Sequence, residues 1–469
     1  MINHCLFRNG WLFALGLLGC LLTPQQVHSQ AADEEEAASE EVSSSTPFEA
    51  LDISGVLDTS YTFRNYDGLD DHDIYSYFSL RMDDLVQDKV DGAFSVFWHE
   101  DLNSDHSLQD PYDYDPFLDI DQSHGRRFRF YTGYIDVHDI GFDDSTLRAG
   151  RQFLEEIDYA HFDGGSYTFD PIEDLEIKLF GGRPVTFYSS SSGDSIYGTN
   201  VEYRFSDRTR AAARYYRYDT DEIIDDLGAI EAWHRWTTWI QSHAEFSLLN
   251  GNPYFLKTDT FFRIDAVDLD IILNAMRLFE PVSEATLNFN PYFPLMYSYE
   301  PFTYGSFYAI KGLGDYWSVT GGVDVRQSDN IDDPAIEFTN SDYVRGTLGV
   351  EFYPIESLTL AVNAEYWDVD PDDRFTGVSG EVEYQPVPEW TFTTGAEYGE
   401  YVQEYRDEFL YFFGEDKTFR ISPDVITYFA RVKWQPVSRI YSAATFEYED
   451  NDEDEDDWYG LRLQVGVSF

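Results

Sequence analysis

At the end of the chain Tyr459, Leu461, Leu463, Val465, Val467 and Phe469 alternate with Gly460, Arg462, Gln464, Gly466 and Ser468. A period of two gives an extended strand one apolar and one polar face. The same alternation recurs back to residue 51. It predicts strands near 51–64, 73–84, 90–100, 127–138, 145–153, 158–170, 174–183, 196–206, 209–219, 228–237 and 239–249. Further ones follow near 253–264, 267–277, 303–311, 315–327, 341–353, 356–368, 374–386, 389–401, 424–435, 438–449 and 458–469. That makes 22, within a range of 18 to 24. An even count returns both chain ends to one side of the sheet.

A repeat marks the turns. Phe169-Asp170-Pro171-Ile172-Glu173-Asp174-Leu175, Phe352-Tyr353-Pro354-Ile355-Glu356-Ser357-Leu358, Tyr384-Gln385-Pro386-Val387-Pro388-Glu389-Trp390 and Trp434-Gln435-Pro436-Val437-Ser438-Arg439-Ile440 share one form. Proline has no N–H to give to a ladder, so each is expected in a short turn between two strands. The flanking aromatics suit a membrane–water boundary. All four turns fall on one side, and the long connections on the other.

The first fifty residues set the compartment. Residues 1–29 match a secretory signal: Arg8 is the basic end, and Trp11 to Leu22 is too short an apolar run to span a bilayer as a helix. Val27 and Ser29 suit a cleavage site after Ser29. Leu17-Leu18-Gly19-Cys20 also resembles a bacterial lipobox, which would make Cys20 an acylated first residue. Cleavage at Ser29 removes both Cys5 and Cys20, leaving no thiol for a disulfide, a metal site or a c-type haem attachment. Residues 30–50, with Asp33-Glu34-Glu35-Glu36, predict an acidic disordered periplasmic leader. Residues 51–469 then form the folded part.

Signal, strands throughout and a terminal aromatic together resemble the Gram-negative outer-membrane β-barrel family, which is porin-like. The fold this implies is all-β: a transmembrane, antiparallel, up-and-down barrel of about 22 strands. The first strand comes within about twenty residues of the signal, which leaves no room for an N-terminal plug domain. The resemblance makes Phe469 an assembly signal read by the barrel assembly machinery, and outer-membrane lipid the barrel's surroundings. A periplasmic β-sandwich or propeller also alternates, but has no reason to segregate short Pro turns from long acidic loops.

Composition narrows the partners. The 469 residues carry a net charge of -57 and 17% aromatics. That charge excludes nucleic acid, whose affinity comes from Lys and Arg on phosphates. The acid concentrates in outer connections: residues 450–457, and the stretch from Asp101 to Gly125 with Asp113, Asp115, Asp119 and Asp121. A solvated acidic rim is the favoured reading of these, with weak Ca²⁺ binding as the alternative, since no run has the spacing of a defined calcium loop.

On the polar face, Glu365, Glu397 and Glu447 each lie eleven residues beyond a turn proline, Pro354, Pro386 and Pro436. Glu351, Glu381, Glu383, Arg345, Arg431 and Lys433 share that face, and Arg127 and Arg129 point inward while Phe128 and Phe130 face lipid. These charges are either mutually paired wall groups or a selectivity element. The His residues show no metal or catalytic spacing, and no nucleophile motif occurs, so an enzyme is not expected and no resident cofactor is implied. A wide barrel without a plug is expected to be a porin-like channel for ions or small solutes, cation-preferring given its charge. The alternative is a sheath around a periplasmic multihaem cytochrome, as in porin–cytochrome conduits.

Overall fold

Every predicted strand forms, and each pairs antiparallel with its chain neighbour. The structure, a computed structural model, describes residues 52–66, 69–86, 89–102, 128–154, 160–185, 193–220, 223–283, 285–286, 300–329, 342–369, 373–406, 418–452 and 457–469. The strands are β1 (Asp52–Tyr66), β2 (Leu69–Asp83), β3 (Val90–Asp101), β4 (Phe128–His138), β5 (Thr146–Leu154), β6 (Ala160–Ile172), β7 (Leu175–Pro184) and β8 (Ser195–Ser206). Next come β9 (Thr209–Asp219), β10 (Ile224–Thr237), β11 (Ile240–Leu249), β12 (Asn252–Ile264), β13 (Leu269–Leu278), β14 (Phe302–Gly312), β15 (Trp317–Ser328) and β16 (Tyr343–Ile355). The last are β17 (Leu358–Val369), β18 (Asp373–Val387), β19 (Trp390–Arg406), β20 (Thr418–Ile421), β21 (Asp424–Val437), β22 (Ile440–Asn451) and β23 (Trp458–Ser468).

Of these 23 strands, 22 form the wall. Strand β19 pairs directly with β21, and β20 pairs only with Gln403–Arg406, the outward extension of β19. Strand β23 returns to β1, from Val56 opposite Ser468 to Tyr66 opposite Trp458, and the sheet closes. The signal, the leader, Arg127 and Asp113 to Asp121 lie outside the described residues.

The proline repeat is a bulge followed by a turn. Pairing skips from Phe169 to Ile172, Phe352 to Ile355, Tyr384 to Val387 and Trp434 to Val437, so each x-Pro dipeptide bulges out of the ladder. One paired aliphatic follows each proline, and the turn itself is the two residues after that: Glu173-Asp174, Glu356-Ser357, Pro388-Glu389 and Ser438-Arg439, so the prolines end a strand instead of occupying the turn as expected. The reason is the one that predicted a turn: a bulged residue owes the ladder no N–H. Neighbouring hairpins are tied together at this rim. The Gln385 N–H donates to Ser357 O (2.8 Å), Gln435 to Glu389 O (2.7 Å) and Ser468 to Arg439 O (2.8 Å).

Side chains sort by face. Leu348, Val362 and Ile230 point outward and are 56%, 57% and 62% exposed. Such a surface would aggregate in water but matches hydrocarbon. At one lapse in pairing, side chains take over backbone acceptors. Strands β4 and β5 part above Arg151; there Arg151 Nη1 donates to Phe130 O (2.8 Å), and His161 Nε2 bonds Tyr131 O (2.6 Å). A closed wall with no free edge and an apolar outer band is what a bilayer requires of strands. The short-turn rim also holds both ends of the barrel; in outer-membrane barrels such a rim faces the periplasm and the rim of long connections the outside, and the two rims are named accordingly.

Candidate functional site: the lumen wall

Cross-strand pairing fixes which residues share a height inside the barrel. One rung runs Ser379–Glu397–Thr427–Glu449, the next toward the periplasm Glu381–Gly395–Phe429–Glu447, and the third Glu383–Thr393–Arg431–Thr445–Arg462. Glu365 is opposite Gly377, and so sits one rung above Glu397. The three Glu at equal distance from their prolines therefore step down one rung at a time, as tilted strands require. Arg129 lies opposite Phe97 on the inward register, while Phe128 and Phe130 fall on the outward one.

Charges on one part of this wall are paired. Arg214 bonds Glu231 (2.5 Å) and Glu245, His243 lies 3.1 Å from Asp259, and Lys257 is 3.4 Å from the same carboxylate. Arg345 binds Glu365 (3.1 Å), reaches Asp324 at 3.7 Å and stacks over Trp367. At the outer mouth Arg64 bridges Asp71 (2.6 Å) and the fully buried Asp73, which also bonds His99 (2.7 Å). Asp71, Asp73 and Asp101 bring three carboxylate oxygens within 4.8 Å, but the Arg64 guanidinium already compensates two of them. Outside the strands, the Asp329 carboxyl is held below the usual carboxylate range by its pair with Arg277 (2.5 Å).

Another part is not paired. Among the described residues Glu381, Glu383, Glu397 and Glu447 make no ion pair, nor do Arg431 and Arg462. Below Asp373, the inward register of β16–β23 carries Glu351, Glu365, Glu381, Glu383, Glu397, Glu447 and Glu449 against Arg345, Arg431, Lys433 and Arg462. The balance is anionic, with Glu381, Glu397 and Glu447 external to the free guanidiniums and Glu383 level with them.

The outer mouth is half apolar. Leu154, Phe162, Ile196, Tyr218, Leu278 and Phe302 face inward from β5 to β14 and are buried. The connection after β13 packs on this band. The Ser283 N–H donates to Tyr254 Oη (3.1 Å), the Ala285 N–H to Asp225 Oδ2 (3.3 Å), and Ala285 is fully buried. Asp225 points into the barrel from β10, so this segment lies inside the mouth.

The chain is a closed antiparallel β-barrel of 22 wall strands with an apolar outer band, the architecture with which strands cross a membrane. No family model and no curated protein matches it. Solved structures similar to it include OccK3 (OpdO) of Pseudomonas aeruginosa, 11% identical over 89% of this chain and 96% of that one, with a TM-score of 0.41. The outer membrane protein OpdK of the same organism is 11% identical over 89% and 98%, TM-score 0.40. OccAB4 of Acinetobacter baumannii is 12% identical over 89% and 97%, TM-score 0.40.

Alternation alone did not single out Asp324, the Arg64–Asp71–Asp73–His99 cluster or the Ser283–Thr286 segment. The Asp71-x-Asp73 spacing was a signal of the second; charges two apart on a strand share a face.

Proposed function

We propose that the protein is a channel for passive passage of ions and small hydrophilic solutes across the outer membrane, with a preference for cations. The observation that carries this reading is the unpaired set Glu381, Glu383, Glu397 and Glu447 on the inward face of an anionic wall sector. Fixed charge of one sign in a water-filled passage concentrates counter-ions and excludes co-ions. Paired walls such as Arg214–Glu231 cancel their own fields and hold the barrel's shape instead. The Ser283–Thr286 segment supports a channel narrowed by its own chain over a sheath, because a folded cytochrome domain would have to displace it.

Reversal potentials of the purified protein in planar bilayers under a KCl gradient test this. A potential of the sign set by K⁺ is the expected result. Anion preference would overturn the charge argument. Conductance that appears only with a periplasmic multihaem cytochrome partner removed, or no conductance at all, would favour the sheath.

A further inference from the structure

Among the described residues, a groove of about 470 Å³ on the outer surface lies beside the closure of the barrel. Its floor is the outward face of β22, where Ser442 and Ala444 stand between the larger Ile440 and Phe446. Two rungs define its walls. The periplasmic one runs Trp390–Trp434–Ser442–Val465–Thr59, and the one above it Val432–Ala444–Leu463–Tyr61. The groove is thus a valley of small side chains one strand wide, with indoles on one bank and Leu463 and Tyr61 on the other.

Two features say what covers it. First, the groove is continuous with the lipid-facing band and begins about 7 Å from the Ser438–Arg439 turn, two residues beyond Ile440 at ~3.3 Å each. Trp390 and Trp434 line it at this height, and indoles favour the boundary between headgroup and hydrocarbon. Second, its floor has hydroxyls where hydrocarbon offers them no partner. The Thr59 and Ser76 hydroxyls share one hydrogen bond (3.1 Å), which uses one of their two protons. The Ser442 hydroxyl has no side-chain partner among the described residues. A hydroxyl facing lipid is costly unless it is bonded.

We propose that this groove holds a glycerophospholipid of the periplasmic leaflet, one acyl chain lying in the valley over Ala444 and its ester oxygens accepting from Ser442 and Thr59. A chain fits the one-strand width, and its esters supply an acceptor for the Ser442 hydroxyl and for the proton that the Thr59–Ser76 pair leaves unused. On the lumen side the same strands are held by Gln464 and Tyr441, which both donate to Asp58, so the floor is rigid before the lipid arrives. The proposal is independent of what the lumen conducts.

The test is native mass spectrometry of the full barrel released from mild detergent, with photoactivatable phosphatidylethanolamine carrying a diazirine in its acyl chain as the probe. The wild type should retain one phospholipid per barrel and cross-link within residues 432–446. Filling the valley with Ser442→Leu/Ala444→Leu should reduce retention at least tenfold at unchanged heat-modifiable mobility. Ser442→Ala, which keeps the valley but removes the hydroxyl, should reduce it several-fold and serves if the filled variant does not fold. No retained lipid, equal retention by the variants, or cross-links between two copies through this face would each overturn the proposal.

Discussion

Phe469 seals the barrel by lying on Gly55. The two backbones exchange hydrogen bonds, Gly55 N to Phe469 O (2.9 Å) and Phe469 N to Gly55 O (3.0 Å). The aromatic ring covers the glycine: a Cβ at residue 55 would stand 2.6 Å from the ring's Cζ. One strand further on, the Phe78 ring stacks beside it at 6.5 Å. Any side chain at 55 must therefore displace the terminal ring. Gly55→Val is expected to lower the fraction of heat-modifiable, folded barrel. Ile53, on the same face two residues earlier, is 43% exposed, so Ile53→Val should be silent. Equal folding of both variants would remove the ring's role in closure.

Deletion of Phe469 removes the ring and the last two cross-seam bonds together. If the assembly machinery reads this residue, outer-membrane levels should fall severalfold while export to the periplasm is unchanged. Pulse-chase with periplasmic fractionation separates the two steps. Normal levels under strong expression would count against the assembly role.

The proline bulges predict a modest effect. Because the bulged position needs no ladder N–H, Pro386→Ala and Pro436→Ala leave every bond in place and lose only restriction of the unfolded chain. Each should cost about 0.4–1 kcal/mol in urea unfolding in detergent or bilayers. Proline placed at Val432, inside the ladder of β21, should instead prevent folding. A large loss for the first two would mean that the prolines have a further structural role.

Much of this fold was legible because alternation is a backbone property. All 22 staves follow from it, and the x-Pro repeat located four of the turns. What escaped were places where the lumen behaves unlike its average. Strands β2 and β10 begin at Leu69 and Ile224, before the expected residues 73 and 228, because Asp71 and Asp225 are inward wall residues that look like loop when their partners are unknown. Phe162, Ile196 and Leu278 are apolar on the face that alternation assigns to water, since another part of the chain covers them. Strand β20 is too short to alternate. Ion pairing was illegible for a different reason: Arg345 meets Asp324 and Glu365 across strand neighbours, a relation of register rather than of sequence.

The mouth segment predicts a change in conductance. Ala285 is fully buried against the apolar band, and its N–H is bonded to Asp225. A charge there would be buried without a partner, at a cost of several kcal/mol. Ala285→Arg should therefore release the segment from the wall and raise single-channel conductance. Asp225→Asn, which keeps an acceptor, should change it little. Unchanged conductance in Ala285→Arg at full folding would show that the segment does not narrow the path.

The last prediction separates paired from unpaired carboxylates. Glu397 and Glu447 face the lumen without a close ion pair, whereas Glu365 is bound to Arg345 at 3.1 Å. Neutralising a free carboxylate removes negative field; neutralising a paired one also unmasks its cation. Glu397→Gln/Glu447→Gln should therefore reduce cation preference, and Glu365→Gln should reduce it by at least as much as either single change while also loosening Arg345. Arg345→Gln should move it the other way, freeing Glu365 and Asp324 to act on the pore, with a lower unfolding midpoint from the lost pair. All three shifts should be larger at 0.1 M salt, where the Debye length is about 10 Å, than at 1 M, where it is ~3 Å. Arg431 and Arg462, one rung nearer the periplasm than Glu447, set the limit on the effect. If the double Gln variant leaves the reversal potential unchanged at both salt concentrations, those guanidiniums already cancel the carboxylate field, and the preference has another source.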